Sequence, residues 1–369
     1  VRVALADIDN PNKAHFPNLA LMKASTYYKK LGHSVELVHG SYKKGGWFDL
    51  VLKSKIFTWS KDKIVVFGDE VLTGGTGFDI ASKLEPAIDR CAPDYDLYKG
   101  RYAAGSKLFE TAGIGFTTRG CPRKCSFCFV PKKEGPIRAY MDVEEFINPN
   151  SNHLILLDNN ILAHKHGISQ IKKMEKMGLE VDFNQGLDPH IIAAREDIAE
   201  LLSRLRYIEN LRLACDEPKD KPALEKAVSL LRKHGAKARL FAYTIIMDDL
   251  EEAYDRIAFV DSLGVIPFAQ AVRDDKNTEP SIYQKALQFW VASACKGLFY
   301  SLSFADYLRV ALEYDYKRKT IKFRNRTRRV PSAKRNMTLD KPIKQIVDEV
   351  LSEDRRKNEE FLEKFLFGK

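Results

Sequence analysis

Between Ile114 and Val272 the chain repeats one pattern six times: a short apolar run of strand length, then a longer stretch with apolar residues at helical spacing. The runs are Ile114–Thr117, His153–Leu157, Val181–Asn184, Asn210–Ala214, Ala238–Ile245 and Ile266–Ala269. The helices between them include Ile168–Met177 and Ala223–His234, with Gly235 placed behind the second as a helix stop. Six such units predict a partial (βα)6 barrel of the TIM type, open where eight would close. In parallel barrels the working residues lie at the C-terminal ends of the strands, so those ends are where function is to be sought.

The segment ahead of this repeat has an alternation of its own. Arg2–Ile8 runs apolar as a buried strand does, Asp9-Asn10-Pro11-Asn12 breaks it, Pro17–Leu31 has helical spacing, and Ser34–Val38 reads as a second strand. Phe48–Phe57 and Lys63–Phe67 supply two more strand-like segments, the latter leading towards Gly74-Gly75-Thr76-Gly77. Without a following Lys-Ser or Lys-Thr, these glycines fit a tight sheet-edge turn better than a phosphate cradle. The expected fold class is α/β: a small open parallel Rossmann-like domain at 1–84, a connector at 85–112, the barrel at 113–275, and a helical C-terminal extension. That extension divides into a helical cover at 276–315, a basic segment at 316–342 and an amphipathic helix at 343–369. Ser281–Tyr307 carries the cover's apolar residues, with Trp290 and Phe299 read as core.

The formal charge of +10 suggests a polyanion partner until it is located. Ten Lys or Arg and no acid fall between Lys317 and Arg335, which accounts for the whole excess. RNA binding is therefore an expectation for 317–335 alone, weighed against a solvated charge run. The apolar runs are too short to span a bilayer. Six scattered cysteines without a paired framework or a secretory signal point to a reducing cytoplasm.

Half of those cysteines lie within eight residues, in Gly120-Cys121-Pro122-Arg123-Lys124-Cys125-Ser126-Phe127-Cys128. Thiolate is a soft ligand that selects zinc, copper(I) or iron–sulfur clusters. A structural zinc site takes four ligands, commonly two CxxC pairs, and Cys91, Cys215 and Cys295 are each isolated. Three cysteines on a four-iron cubane leave one iron open to a further ligand. A zinc site with a distant fourth ligand and three unrelated thiols are the other readings. Cys91, which as a fourth ligand would close the cluster, reads as structural.

The spacing three-then-two, with an aromatic before the last cysteine, resembles the signature of the radical S-adenosylmethionine (radical SAM) enzymes, CxxxCx(aromatic)C after the first barrel strand. Cys121, Cys125, Phe127 and Cys128 match it position by position. The resemblance implies a 4Fe-4S cluster on the three cysteines. Its open iron chelates S-adenosylmethionine, which is cleaved reductively to a 5′-deoxyadenosyl radical that abstracts hydrogen from a small or nucleobase-like substrate. It also implies a one-electron reductant of the flavodoxin or ferredoxin type. Cofactor contacts are expected at the strand ends: Asp158, Asn159 and Asn160, where the family often has Gly-Gly-Glu; Gln185 and Asp188; and Asp216 and Glu217. Each has a bland counterpart, an Asx-type turn for Gln185 and Asp188 and dipole-complementing acids for Asp216 and Glu217. Met247-Asp248-Asp249 reads as a helix cap, and Arg273 as an anion partner or an exposed arginine. Lys132 and Lys133 stand near the site as solvated loop charges or as contacts for an anion.

The N-terminal order resembles the cobalamin-binding-like domain of one branch of the family, but the Asp-x-His-x-x-Gly motif is absent and no cobalamin is expected. Phe16–Lys23, Val130–Gly135, Leu157–Asn160 and Phe183–Asp188 resemble a subgroup associated with queuine lyase, which cuts the side chain from a deazapurine base. Two alternatives stand beside this: a structural metal-binding protein whose basic segment holds RNA, and a radical SAM methyl- or methylthiotransferase acting on tRNA.

Overall fold

The structure is a computed structural model that describes residues 1–9, 16–38, 47–100, 111–273, 279–295, 303–305, 308 and 339–352. The basic segment at 317–335 and Phe299 lie outside the described residues. The chain forms two compact units, Val1–Leu187 with Arg204–Glu209, and Asp188–Ser203 with Asn210–Lys369. The division falls inside the strand–helix repeat rather than at its expected start. Among the described residues no helix is long and apolar enough to cross a membrane.

The first unit begins with strand β1 (Arg2–Asp7), helix α1 (Leu19–Lys30), β2 (Ser34–Val38), β3 (Trp47–Ser54) and β4 (Phe67–Gly74). These strands form a parallel sheet of order β2-β1-β3-β4. Val3, Ala4, Leu5 and Ala6 are wholly buried, as the continuous apolar run requires of a strand covered on both faces. α1 is shorter than its periodicity predicts because Asn18 caps it, accepting from Leu21 N at 3.3 Å, and Gly32 ends it at φ +80°.

The fourth strand differs from expectation. Lys63–Val66 is not in the ladder; Ile64 and Val66 are buried beneath the sheet, and β4 starts at Phe67 and continues to Gly74. Alternating burial gave that segment a strand-like pattern without strand pairing. β3 likewise stops at Ser54, because Asp9 takes the next N–H groups, Ile56 at 2.6 Å and Phe57 at 3.2 Å. The glycine run is the expected turn: Gly77 N donates to Lys55 O at 2.9 Å, and a Cβ at Gly77 would lie 2.7 Å from Phe57 O.

The connector holds the short helix α2 (Pro86–Asp89) and two anchoring tyrosines. Tyr98 is buried with its hydroxyl on Asp7 Oδ2 at 2.7 Å; Tyr95 donates to Phe146 O and accepts from Ile114 N. Ile88, Leu97 and Tyr98 pack in one core with Leu5 and Met22 of the first sheet layer and Ile114 and Ile155 of the next. That next sheet contains β5 (Gly113–Gly115), followed by a hairpin of β6 (Thr118–Arg119) and β7 (Arg138–Ala139) that encloses α3 (Val130–Glu134). β8 (His153–Leu156), α4 (Lys165–Met177), β9 (Glu180–Phe183) and β10 (Arg206–Tyr207) complete it in the parallel order β10-β9-β8-β5.

The second unit opens with α5 (Pro189–Ala194) and α6 (Glu196–Arg204) and then alternates β11 (Asn210–Ala214), α7 (Lys221–Lys233), β12 (Arg239–Ile246), α8 (Leu250–Ser262) and β13 (Ile266–Ala271). The three strands are parallel in the order β11-β12-β13. All six expected strands are present. Their ladders join them in two parallel sheets, not in one continuous sheet. α9 (Ile282–Cys295) and α10 (Ile343–Ser352) pack on this unit, where Trp290, Ile346, Val347 and Val350 share a core with Leu250 and Ile257. The apolar stripe of the last helix is thus taken up by the unit itself; its expected continuation to Leu366 lies outside the described residues.

Burial pushes the Asp7 carboxyl up to about 6 from 3.8, against the Tyr98 hydroxyl that favours its charged form. A raised carboxyl contributes stability below its unfolded value that is lost as pH rises through the folded value. Asp7→Asn, whose amide can serve both Tyr98 and Asp9 N, is expected to match the parent near pH 4 and to exceed it by about 3 kcal/mol at pH 8, with the gap opening between about pH 4 and about pH 6. Urea unfolding of both proteins across that range checks it.

Candidate functional site

The three clustered cysteines lie in the loop that the β6–β7 hairpin carries. Its first turn needs glycine: Gly120 has φ +84°, and a Cβ there would meet Gly135 O at 2.6 Å and the carbonyl of Pro136. The loop is closed from behind by Cys121 N donating to Gly135 O at 3.3 Å, and its far end turns through Cys128 N on Cys125 O at 3.1 Å. Cys121, Cys125 and Cys128 are half-buried thiols, none of them in a disulfide. Phe127 is half-buried between the last two.

Asp158, Asn159 and Asn160, just beyond the end of β8, each reach this loop. Asp158 is buried and accepts from Thr117 N (3.0 Å), Thr118 N (2.5 Å), Thr117 Oγ1 (2.8 Å) and Thr118 Oγ1 (2.6 Å). Burial pushes its carboxyl up while those four donors pull it down. Asn159 Nδ2 donates to Glu134 Oε2 at 3.2 Å, and Asn160 Nδ2 lies 3.9 Å from Cys121 Sγ. The sequence reading assigned all three to a cofactor; the structure places Asp158 on Thr117 and Thr118 and the Asn159 amide nitrogen on Glu134.

Sequence reasoning missed Glu134 and Arg119. Glu134 accepts from Gly120 N at 3.0 Å and pairs with Arg119, whose guanidinium reaches Glu134 Oε1 at 2.7 Å and lies 4.0 Å over the Phe116 ring. A signal was present: Glu134 is the only acid between Thr117 and Tyr140, a stretch otherwise rich in Lys and Arg. Lys133 is not a free loop charge; its ammonium donates to Ile80 O and Ser82 O at 3.1 and 3.3 Å. Cys91 is buried with its thiol on Ala87 O at 3.3 Å, in keeping with a structural role.

The remaining candidates are not gathered at this loop by any contact within the first unit. Gln185 is exposed and donates to Asn184 Oδ1 at 3.2 Å. In the second unit Asp188 caps α5, accepting from His190 N at 3.0 Å, as the turn reading allowed. Glu217 pairs with Lys219, and Asp249 caps α8. Arg273 is held by Glu279 through two bonds of 2.7 and 3.0 Å. Asp220, absent from the sequence reading, takes Asp216 N (3.0 Å), Glu217 N (2.9 Å) and His190 Nε2 (2.7 Å). Asp216 accepts from Ile245 N at 3.2 Å, and burial pushes its carboxyl up to about 7. The Cys215 thiol is wholly buried and pushed up to about 12, which leaves it chemically inert.

Among the described residues no three Cys, His, Asp or Glu side chains are gathered as around a single metal ion. A zinc ion, with Zn–S of about 2.3 Å, would draw its sulfurs to within about 4 Å of one another. A four-iron cubane binds each thiolate at a separate corner and does not ask for that spacing. The donor set, three half-buried soft thiols on one loop, fits such a cluster in type and number. No protein-family model matches the chain, and no curated protein matches its sequence.

Asp158→Ala would leave the Thr117 and Thr118 N–H groups buried without an acceptor. It is expected to lower unfolding free energy by about 3 kcal/mol and to raise the alkylation rate of Cys121 by iodoacetamide several-fold, read by peptide mass spectrometry. Asn160→Leu, which touches the thiol but not the threonines, should change the alkylation rate with a smaller loss of stability.

Proposed function

We propose that this chain is a radical SAM enzyme that abstracts hydrogen from a small or nucleobase-like substrate, with a deazapurine lyase of the queuine type as the subclass its sequence resembles most. The observation that carries the reading is the cysteine loop: three thiols at the spacing Cys121, Cys125, Cys128, on a loop fixed from behind by the strand-end residues Asp158 to Asn160. The resemblance implies a partial (βα)6 barrel, and the six expected strands, present in two parallel sheets, support the reading at the level of the α/β class.

Cys121, Cys125 and Cys128 would hold a 4Fe-4S cluster, which when loaded and reduced supplies the electron that cleaves S-adenosylmethionine to a 5′-deoxyadenosyl radical. The chain's own residues do the positioning. Asp158 pins Thr117 and Thr118, which sets the start of the loop; Glu134 pins Gly120 and neutralises Arg119. Phe127 puts a half-buried aromatic residue next to Cys128 in the chain. Of the strand-end polar residues that the resemblance marks for S-adenosylmethionine or substrate, Asn160 lies nearest the cysteine loop, its Nδ2 3.9 Å from Cys121 Sγ. A one-electron reductant of flavodoxin or ferredoxin type completes the system. Cobalamin is not part of it, because the first sheet lacks the motif that would ligate it.

The test is anaerobic. The protein is reconstituted with iron and sulfide, reduced with dithionite and given S-adenosylmethionine, and 5′-deoxyadenosine is quantified. The wild type is expected to form it and Cys125→Ala to form less than about a hundredth as much, a loss of about 3 kcal/mol in barrier terms. Stoichiometric zinc with four protein ligands in the purified protein, and no iron uptake, would end the proposal.

A further inference from the structure

The sheet of the second unit has two unlike faces. Leu211, Leu213, Ala242, Ile246 and Ala269 are buried, and Ile246 and Ala269 pack in the core with α8 and α9. The residues between them form the other face, and the ladder sets them in rows: Arg212, Phe241 and Ile266; then Ala214, Tyr243 and Phe268; then Ile245 and Gln270. Burial alternates on past β11, with Cys215 wholly buried and Asp216 half-buried, so Asp216 joins this face in the last row, bonded to Ile245 N.

The three aromatic rings form one cluster, with centroids 5.2 Å apart for Phe241 and Phe268, 5.3 Å for Phe241 and Tyr243, and 5.8 Å for Tyr243 and Phe268. Phe241 is the buried member; Tyr243 and Phe268 keep part of their surface, and Gln270 is exposed. Arg212 Nη1 donates to the Tyr243 hydroxyl at 3.2 Å, which fixes the tilt of that ring. Ala214 is the small residue of the middle row, paired with Tyr243 in the ladder. At the rim, Asp216 uses one oxygen on Ile245 N, and no second donor reaches its carboxylate among the described residues.

We propose that this face binds a planar heteroaromatic base, which stacks on Tyr243 and Phe268 and presents adjacent ring and amino N–H donors to the Asp216 carboxylate. An ionised carboxylate only accepts hydrogen bonds, so the edge it reads must be a donor edge. Two neighbouring N–H groups, as on a guanine-type ring, match its two oxygens; a uracil edge, one N–H between two carbonyls, does not. Stacking supplies affinity for any ring, and the carboxylate supplies the choice among them. As the substrate end of a radical reaction this rests on the reading above; as a base-binding site it stands on the geometry of this sheet.

Isothermal titration of the full chain at pH 8, with and without iron–sulfur reconstitution, tests it with 7-deazaguanine, hypoxanthine and uracil as probes. 7-Deazaguanine is expected to bind at least about tenfold tighter than hypoxanthine, which lacks the amino group, and uracil to bind weakest. Asp216→Asn keeps an acceptor for Ile245 N and should reduce the 7-deazaguanine preference to within about threefold. Tyr243→Leu should weaken both purine-like probes by about tenfold and keep the preference. Thermal melts identify a variant that fails to fold, in which case the wild-type panel alone decides. Equal affinity for 7-deazaguanine and hypoxanthine in the wild type, an undiminished preference in Asp216→Asn, or no binding of any probe overturns the inference. Base binding without 5′-deoxyadenosine formation would leave it standing while the radical reading falls; S-adenosylmethionine cleavage without base binding would do the reverse.

Discussion

The arrangement of the first unit's functional loop depends on one buried carboxylate. Asp158 gathers two backbone N–H groups and two hydroxyls from Thr117 and Thr118, which are 41 and 40 residues away in sequence. A carboxylate buried without donors would cost several kcal/mol; with four of them it becomes the point that fixes where the chain leaves β5 and enters the hairpin. Everything downstream follows from that fixed point. Arg119 is turned towards Glu134, Gly120 can pass beneath residues 135–136, and Cys121 begins its loop against Gly135.

The same device recurs in the sheet that precedes it. Asp9, two residues beyond β1, takes Ile56 N and Phe57 N and so ends β3, while Asp7 receives the Tyr98 hydroxyl and ties the connector to the sheet. At Asp158 and Asp9 a short acidic side chain just past the C-terminal end of a parallel strand satisfies N–H groups of a neighbouring segment, and at Asp7 the strand's last residue takes a tyrosine hydroxyl. These groups must find partners once buried, and an aspartate at the strand end reaches them with little conformational freedom to lose. The C-terminal ends are therefore wired to their loops before any ligand is considered.

Local pattern was sufficient for what local physics decides. The six strands, the helical span of α1, the turn at Gly74 to Gly77 and the amphipathic start of α10 could be read from periodicity and from the conformations open to glycine. Lys63–Val66 misled because burial alternates there as it would in a strand, and only the partner strand decides which residues pair. The bonds of Asp158 to Thr117 and Thr118 were not legible, since residues 40 and 41 positions away are brought to it only by the fold. Glu134 was overlooked although its isolation among basic residues marked it. The rim of the second unit was half legible: Asp216 and Glu217 were singled out, while Asp220 and His190, which bond to each other, carry no local sign of that pairing.

The acids at the strand ends are separated by how many donors each has already collected. Asp158 holds four, Asp220 holds two backbone N–H groups and the His190 ring, and Asp9 holds two N–H groups of the loop beyond β3. A carboxylate filled in this way is structural, because a ligand could bind it only by displacing bonds that the fold needs. Asp216 has one such bond and is half-buried, and burial pushes its carboxyl up to about 7 against the opposing charge of Arg256. An acid held near neutrality beside a partly open aromatic surface is poised to respond to what docks there, since two donated N–H bonds would do for Asp216 what Thr117 and Thr118 do for Asp158. Counting donors thus divides residues that sequence position alone had grouped together, and the single bond to Asp216 among the described residues is what favours it for the base-binding role proposed above.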